Sequence, residues 1–258
     1  MCYTKPMTES LALQLRDLAQ RYETEGFLHG DPSSFMHECG GDAAEQEMTA
    51  FLAACLSFGS RKQFCKKIDA LLNEAHGTPC EWILRGGYES LFPQDSSSFY
   101  RMFSSADMRA LCGRLRTVLR RHGTLGSAAK SALEESGGLP LQDCMAALFP
   151  DCRIIPHTAG SAKKRLCMFL RWMVRQNSPV DLGLWTWYSA ADLCIPLDVH
   201  VLRQSRRLGL TQRKCADART ARAVTEQLRS VWPDDPCKGD FALFGLGISE
   251  RERPALKS

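Results

Sequence analysis

The sequence lacks a long apolar segment. Its longest run without a charged residue, Met48–Ser60, has 13 residues, which is short of the ~18 that a membrane-spanning helix needs. The first 23 residues carry acidic side chains among the apolar ones and have no continuous apolar core, so we expect no signal peptide there. These absences predict a soluble, cytoplasmic protein without a membrane-spanning segment.

Motifs that bind metals or nucleotides are also missing. Twelve cysteines are scattered from Cys2 to Cys237, but no C-x-x-C occurs, and the closest pair, Cys144 and Cys152, are eight positions apart. This spacing is not typical of structural zinc, and the scattered cysteines, many of them on apolar faces, favour reduced thiols inside the cell over a disulfide framework. Neither a phosphate-binding Walker A loop nor a dinucleotide-binding glycine fingerprint is found. We therefore predict no metal site and no cofactor.

The charge of the chain is modest but unevenly distributed. The net charge is +4 over 258 residues, yet residues 1–150 carry −3 and residues 151–258 carry +7. A basic C-terminal part indicates a polyanionic partner, with nucleic acid as the first candidate. The alternative is a solvated basic surface without a partner.

Apolar residues recur at helical spacing along nearly the whole chain. Leu11, Leu15, Leu18 and Tyr22 are one example, and residues 105–122 repeat the pattern more strongly. No strand alternation or internal repeat is found. We predict an all-α fold in a single domain over residues 1–258, either undivided or built as two helical lobes around a cleft.

Several helix boundaries can be predicted from local signals. Asp42 is expected near the start of one helix, and Thr78 should cap another that begins at Pro79. Gly123 should end the helix over residues 105–122, and the polar run at residues 94–98 is typical of a flexible turn. Gly245 and Gly247 lie in an apolar segment, which indicates close helix packing.

The first stretch that suggests chemistry is residues 141–176. A helix, a turn containing proline and glycine, and a second helix starting near Gly160-Ser161 predict a helix-hairpin-helix. Lys163, Lys164 and Arg165 would lie in the first turn of the second helix, where cations oppose the helix dipole. Such a conflict is explained if a phosphate binds there, since exposed amides also favour an anion. A solvated basic turn is the alternative.

The second stretch is residues 195–203, where Asp198 lies between apolar residues at a helix start. The common role of such an aspartate is the N-cap, which contributes ~1 kcal/mol. A carboxylate in an apolar wall could also stabilise a cation or activate a nucleophile, and capping would not prevent this. His200, two residues later, suits a structural role or a phosphate contact.

Together these stretches carry a resemblance to a known superfamily. Residues 196–201, P-L-D-V-H-V, resemble the V-D-T-H-V segment of the helix-hairpin-helix DNA glycosylases, the endonuclease III superfamily (HhH-GPD). Residues 164–175, 195–210 and 235–249 are more closely similar to an uncharacterised bacterial family related to that superfamily, and residues 42–59 fit its early helix. The resemblance spans most of the chain and implies an HhH-GPD-like helical fold.

The resemblance also implies a catalytic pair. The bifunctional enzymes of the superfamily place a lysine in the hairpin and an aspartate at the start of a later helix, which correspond here to Lys164 and Asp198. Lys163 is the competing lysine, because the hairpin reads T-A-G-S-A-K-K-R rather than L-P-G-V-G-R-K-T. The 34-residue spacing is similar to that of the archaeal 8-oxoguanine glycosylases. The iron–sulfur loop of endonuclease III is absent, since only Cys215 and Cys237 follow Asp198.

The implied function is base excision repair by a DNA glycosylase/lyase. The lysine amine would attack C1′ of the sugar and form a Schiff base, while the aspartate stabilises the oxocarbenium-like transition state. The partner would be damaged, double-stranded DNA in the nucleoid, bound by a monomer. The expected DNA contacts are Gly160, Ser161, Lys163, Arg165, His200 and Arg203. A non-catalytic nucleic-acid-binding module with the same fold is the alternative.

The displaced base would need an aromatic pocket. The aromatic candidates near the two stretches are Trp172, Trp185, Trp187, Phe241 and Phe244. Aromatic residues at helical spacing are more often part of the core, so a core role is the alternative for each of them.

Overall fold

The chain is mostly helical. A computed structural model describes residues 7–252, with side chains up to residue 247, and about 60% of it is helix. The helices are α1 (Glu9–Tyr22), α2 (Ser34–Glu38), α3 (Ala43–Leu56), α4 (Arg61–Glu74), α5 (Pro79–Arg85), α6 (Tyr88–Leu91), α7 (Ser105–His122), α8 (Leu125–Glu135), α9 (Leu141–Ala147), α10 (Lys164–Val174), α11 (Val199–Arg207), α12 (Ala218–Arg229) and α13 (Gly239–Glu252). The predicted all-α class is confirmed.

The chain divides into two compact units. The first unit joins residues 1–27 to residues 159–258 and contains α1 and α10–α13. The second unit is continuous, from residue 28 to residue 158, and contains α2–α9. Helical periodicity is compatible with an undivided domain and with two lobes, and no sequence signal indicates that the first unit combines segments from before and after the second.

The first unit is organised around α10. Every residue from Leu166 to Val174 is buried, so this helix contacts neighbours on all sides and not on a single face. The terminal helices α1 and α13 pack closely, because a Cβ atom added to Gly245 would come within 2.0 Å of the Tyr22 ring. The packing role predicted for Gly245 is therefore confirmed.

The second unit is organised around α3, where residues 47–56 are all buried. Phe51 stacks on Phe149 with ring centroids 5.2 Å apart. Two acidic residues near the start of α3 cap other helices. Glu45 accepts hydrogen bonds from the Cys80 and Glu81 amides of α5, at 2.7 and 3.0 Å. Glu45 therefore performs the capping that was predicted for Thr78, whose side chain makes no cap hydrogen bond.

Glu47 holds the first turn of α8 from inside the second unit. Its buried carboxylate accepts hydrogen bonds from the Leu125 and Gly126 amides, at 2.7 and 2.9 Å. Glu47→Ala leaves two buried donors unsatisfied, so we expect a loss of about 2–3 kcal/mol in the free energy of unfolding. Urea denaturation measures it. Glu134→Ala, an exposed acid on α8, is the control with an expected change within about 0.5 kcal/mol; equal losses would contradict the capping role.

One region differs from the sequence prediction. Strands β1 (Ser98–Tyr100) and β2 (Phe103–Ser104) form a short antiparallel hairpin directly after the predicted flexible turn. The Tyr100 hydroxyl donates to the Phe58 carbonyl at 2.6 Å, and its ring packs edge-on against the Phe58 ring. Tertiary contacts of this kind stabilise so short a hairpin, and local alternation could not reveal it.

Cysteines and membrane segments complete the description. The eleven cysteines within the described residues are free thiols, and most are buried; Cys2, and the first six residues of the N-terminal segment, lie outside the described part. None of the described helices combines the length and the apolar character needed to cross a membrane.

Candidate active site

The predicted hairpin is an irregular connection over residues 148–163. It leads from α9 in the second unit to α10 in the first. The second helix of the motif starts at Lys164 and not, as predicted, near Ser161. Lys163 adopts a left-handed conformation with φ of 46° and its amide donates to the Ser161 hydroxyl at 3.1 Å. This left-handed residue ends the turn and sets the start of α10.

The turn is joined to the start of α12. Ser161 and Asp217 form an isolated antiparallel bridge, and the Ala218 amide donates to the Gly160 carbonyl at 2.9 Å. Asp217 is also the N-cap of α12. The bridge therefore places the hairpin turn alongside the N-terminal end of a second helix, a contact that the sequence did not indicate.

The three basic residues of the turn have different environments. Lys163 is only 3% exposed, so a contact with a phosphate would require its side chain to leave this buried position. Lys164 and Arg165 are half-buried. The Lys164 amine forms no hydrogen bond or ion pair with another described residue. Of the two lysines, Lys164 is therefore the one whose amine is partly accessible to a ligand and is not engaged in an ion pair or hydrogen bond with a described residue.

Asp198 caps α11, as the sequence predicts. Its Oδ1 accepts hydrogen bonds from the His200 and Val201 amides, at 2.8 and 2.9 Å, while Oδ2 has no partner among the described residues. The preceding residues 195–197 are buried, and Asp198 itself is half-buried. The cap fixes the carboxylate at the edge of an apolar wall with one oxygen available.

The charges of the two predicted catalytic residues both act on Asp240. Asp240 lies in the first turn of α13, and its Oδ2 accepts a hydrogen bond from Arg171 Nη1. Burial raises the pKa of the Asp240 carboxyl; the positive charges of Arg171 and Lys164 oppose this rise, and the negative charge of Asp198 adds to it. We call these four side chains, Lys164, Arg171, Asp198 and Asp240, the Asp240 site. It contains two cations and two carboxylates.

A buried ion network supports the Asp240 site. Arg171 Nε donates to Asp181 Oδ1 at 3.2 Å, and Arg175 Nη1 binds the other Asp181 oxygen. Arg175 also contacts Asp235 at 2.9 Å and Glu23 at 2.6 Å. Burial alone would lower the pKa of Arg175, but these carboxylates raise it above its ordinary value. The network ties α10 to α1, to the loop after α10 and to the segment before α13.

A phenylalanine lies under both arginines of the network. The guanidinium carbons of Arg171 and Arg175 are 4.6 and 5.2 Å from the centroid of the Phe241 ring. Such cation–π contacts are worth up to ~2 kcal/mol when the groups are desolvated. Phe241 is thus a core residue that holds the arginines in place.

The other aromatic candidates divide into buried and accessible rings. Trp172 is fully buried and Trp185 is 2% exposed, so both are core residues. Trp187 is half-buried and stacks on Trp185, with centroids 5.4 Å apart. Phe244 is half-buried against the Phe27 ring at 4.8 Å. Trp187 and Phe244 therefore keep part of a ring accessible.

The remaining predicted contact residues lie at the surface of the first unit. Gly160, His200 and Arg203 are exposed, and Ser161 is half-buried. Their contacts with DNA stay predictions. Among the described residues, no group of three or more histidine, cysteine or acidic side chains is arranged to hold a metal ion.

Asp240 and the ion network are functional features that were not predicted from the sequence. A signal was present, because Arg171 and Arg175 lie four positions apart in the stretch of residues 166–175, whose other members are apolar. Arginines are almost never fully buried unless they are paired. This pattern predicts acidic partners, but it does not say which acids provide them.

The structure is that of a mostly helical protein in which a lysine and a carboxylate lie at two helix starts and both act electrostatically on a half-buried aspartate. Residues 31–249 match the model of a family described as a protein of unknown function, DUF2400. Since this match covers most of the chain, the protein belongs to that family. No curated protein matches the chain, and no solved structure matches it.

Proposed function

We propose that the protein is a DNA N-glycosylase with AP lyase activity that removes a damaged base from double-stranded DNA. The observation that carries the proposal is that Lys164 and Asp198, 34 positions apart, lie at the starts of two helices of the same unit, and that their charges both act on the pKa of Asp240. The resemblance to the helix-hairpin-helix glycosylases singles out the same two residues.

The chemistry uses one nucleophile and one stabilising carboxylate. The neutral amine of Lys164 attacks C1′ of the damaged nucleotide, and the N-glycosidic electron pair leaves with the base. Loss of the amine proton and opening of the sugar ring give a Schiff base, from which β-elimination cleaves the strand. The free Oδ2 of Asp198 stabilises the positive charge that develops on the sugar as the base departs. The base itself must leave the stack, and Trp187 and Phe244 are the two aromatic candidates that are not fully buried.

Borohydride trapping tests the proposal. Borohydride reduces a Schiff base to a stable amine, so an enzyme of this kind becomes covalently attached to its DNA. A panel of duplexes with different damaged bases is combined with one duplex containing an abasic site, on which a lyase acts whichever base the enzyme prefers. We expect a covalent adduct with the abasic duplex and with at least one lesion. Binding without any adduct would instead favour the non-catalytic nucleic-acid-binding module.

Asp198→Asn separates catalysis from helix capping. Asparagine caps helices about as well as aspartate, so the fold should be retained, but the negative charge is lost. We expect base release to slow by about 100-fold or more, as when other electrostatic stabilisers of a transition state are removed. Single-turnover base release measures this rate.

Asp198→Ala is the matched variant for the cap. It removes the cap as well as the charge, so it should slow base release similarly and also lower the free energy of unfolding by ~1 kcal/mol. Base release at the normal rate in Asp198→Asn would contradict the catalytic role and leave only the cap.

A further inference from the structure

A strongly basic strip runs from α11 into α12. Residues 203–222 contain seven lysines or arginines and a single acid, Asp217, although the net charge of the whole chain is only +4. We call this segment the 203–222 strip. Six of its cations are exposed: Arg203, Arg206, Arg207, Lys214, Arg219 and Arg222. The opposite faces of α11 and α12 are buried in the core of the first unit.

The one acid of the 203–222 strip, Asp217, already forms an ion pair with Arg213. Asp217 Oδ1 accepts from the Thr220 amide at 2.8 Å, and Oδ2 accepts from Arg213 Nη2 at 2.6 Å. The Thr220 amide and Arg213 lower the pKa of Asp217 to about 2. The carboxylate is therefore ionised at neutral pH, and its negative charge is paired with Arg213. Lys214, Arg219 and Arg222 form no ion pair with any described residue. Their charges are therefore available to an external anion.

The cations at the start of α12 do not stabilise this helix through its dipole. Arg219 lies in the first turn of α12, where a cation opposes the helix dipole by about 0.3–1 kcal/mol. Arg222 follows one turn later on the same face. A bound external polyanion would attract Arg219 and Arg222 and would so offset the unfavourable interaction of Arg219 with the helix dipole.

The bridge places the 203–222 strip beside the hairpin turn. Ser161 pairs with Asp217, two residues before Arg219, and paired residues of this kind have Cα atoms roughly 5 Å apart. The start of α12 and residues 160–161 therefore lie on neighbouring parts of the first unit.

We infer that the 203–222 strip binds the phosphate backbone of duplex DNA next to the hairpin turn, with Arg219 and Arg222 as direct phosphate contacts. This inference rests on the proposed function, because it adds a second anchor for the same DNA. Within residues 203–222 the exposed positions hold six cations and no acidic side chain, which suits the uniform negative charge of a DNA backbone. The contacts would position the duplex and carry no base specificity.

The test compares two double variants that remove equal charge. Arg219→Ala/Arg222→Ala alters the strip. Arg120→Ala/Arg121→Ala alters two exposed arginines at the end of α7 in the second unit. Affinity for an undamaged duplex is measured by fluorescence anisotropy over a series of salt concentrations, and thermal melting checks that each variant is folded.

The expected result is a change in the strip variant alone. Each lost phosphate contact should reduce the slope of log affinity against log salt by about 0.9, which is a loss of roughly eightfold in affinity at 0.1 M salt. The control should keep the slope of the unaltered protein. An unchanged slope in the strip variant, an equal change in the control, or no binding by the unaltered protein at low salt would overturn the inference.

Borohydride trapping on the abasic duplex distinguishes this failure from failure of the proposed function. Trapping together with an unchanged slope overturns only the strip contact. Salt-sensitive binding through Arg219 and Arg222 without trapping supports the strip and contradicts the lyase chemistry.

Discussion

Lys164→Gln is expected to abolish covalent trapping on abasic DNA while leaving DNA affinity within a few-fold of the original. Glutamine roughly keeps the bulk of the side chain but has no amine that could form a Schiff base. Lys164 makes no ion pair or hydrogen bond with another described residue, so its replacement should not disturb the fold. The measurement is the fraction of labelled DNA that shifts to a covalent adduct on a denaturing gel.

Two further lysine variants serve as a control and as a test of the competing lysine. Lys130→Gln removes an exposed amine from α8 in the second unit, and it should trap like the unaltered protein. Lys163→Gln alters the competing lysine, which is buried; it should be less stable but should still form the adduct. If Lys164→Gln traps normally and Lys163→Gln does not, the nucleophile is Lys163 and the reaction class is unchanged.

Arg175→Met should cause the largest loss of stability, about 3–5 kcal/mol in the free energy of unfolding. Arg175 is 2% exposed and contacts Glu23, Asp181 and Asp235. Methionine fills much of the volume but leaves these carboxylates in a buried environment without their cation, and an uncompensated buried charge is strongly destabilising. Urea denaturation of the full chain at neutral pH measures the change.

Arg21→Met is the matched control for this substitution. Arg21 pairs with Asp17 on the same unit at 3.3 Å, but both side chains are more than 60% exposed. Exposed pairs of this kind are worth about 0.2–1 kcal/mol. Similar losses in Arg175→Met and Arg21→Met would contradict the view that the buried network holds the first unit together.

Helix boundaries with their own local signals could be predicted from the sequence. Asp42 caps α3 by accepting from the Ala44 and Glu45 amides, and Gly123 ends α7 with φ of 80°. The cap of α5 could not be predicted, because Glu45 supplies it from 35 positions away. Local patterns determine where a helix can start, whereas tertiary contacts decide which side chain satisfies its free amides.

The site shows the same division. Lys164 and Asp198 could be singled out because each lies in a short stretch with a helix start and a resemblance to a known motif. Asp240 and the partners of Arg175 come from separate segments of the chain, and no sequence period connects them. The first unit combines α1 with α10–α13, which are distant in the sequence. This could not be predicted, because the sequence of α1 does not indicate which helices it packs against.

The pairing of α1 with α13 has a consequence for synthesis. α1 ends at Tyr22 and α13 begins at Gly239, 217 residues later, which corresponds to roughly 10–45 s of translation at 5–20 residues per second. The continuous second unit can fold on the ribosome during this interval. Until α13 is synthesised, the apolar face of α1, with Leu15, Leu18 and Ala19, cannot pack against it. A nascent chain of this design exposes a short amphipathic helix to chaperones during this interval, and its first unit can close only after α13 has been synthesised.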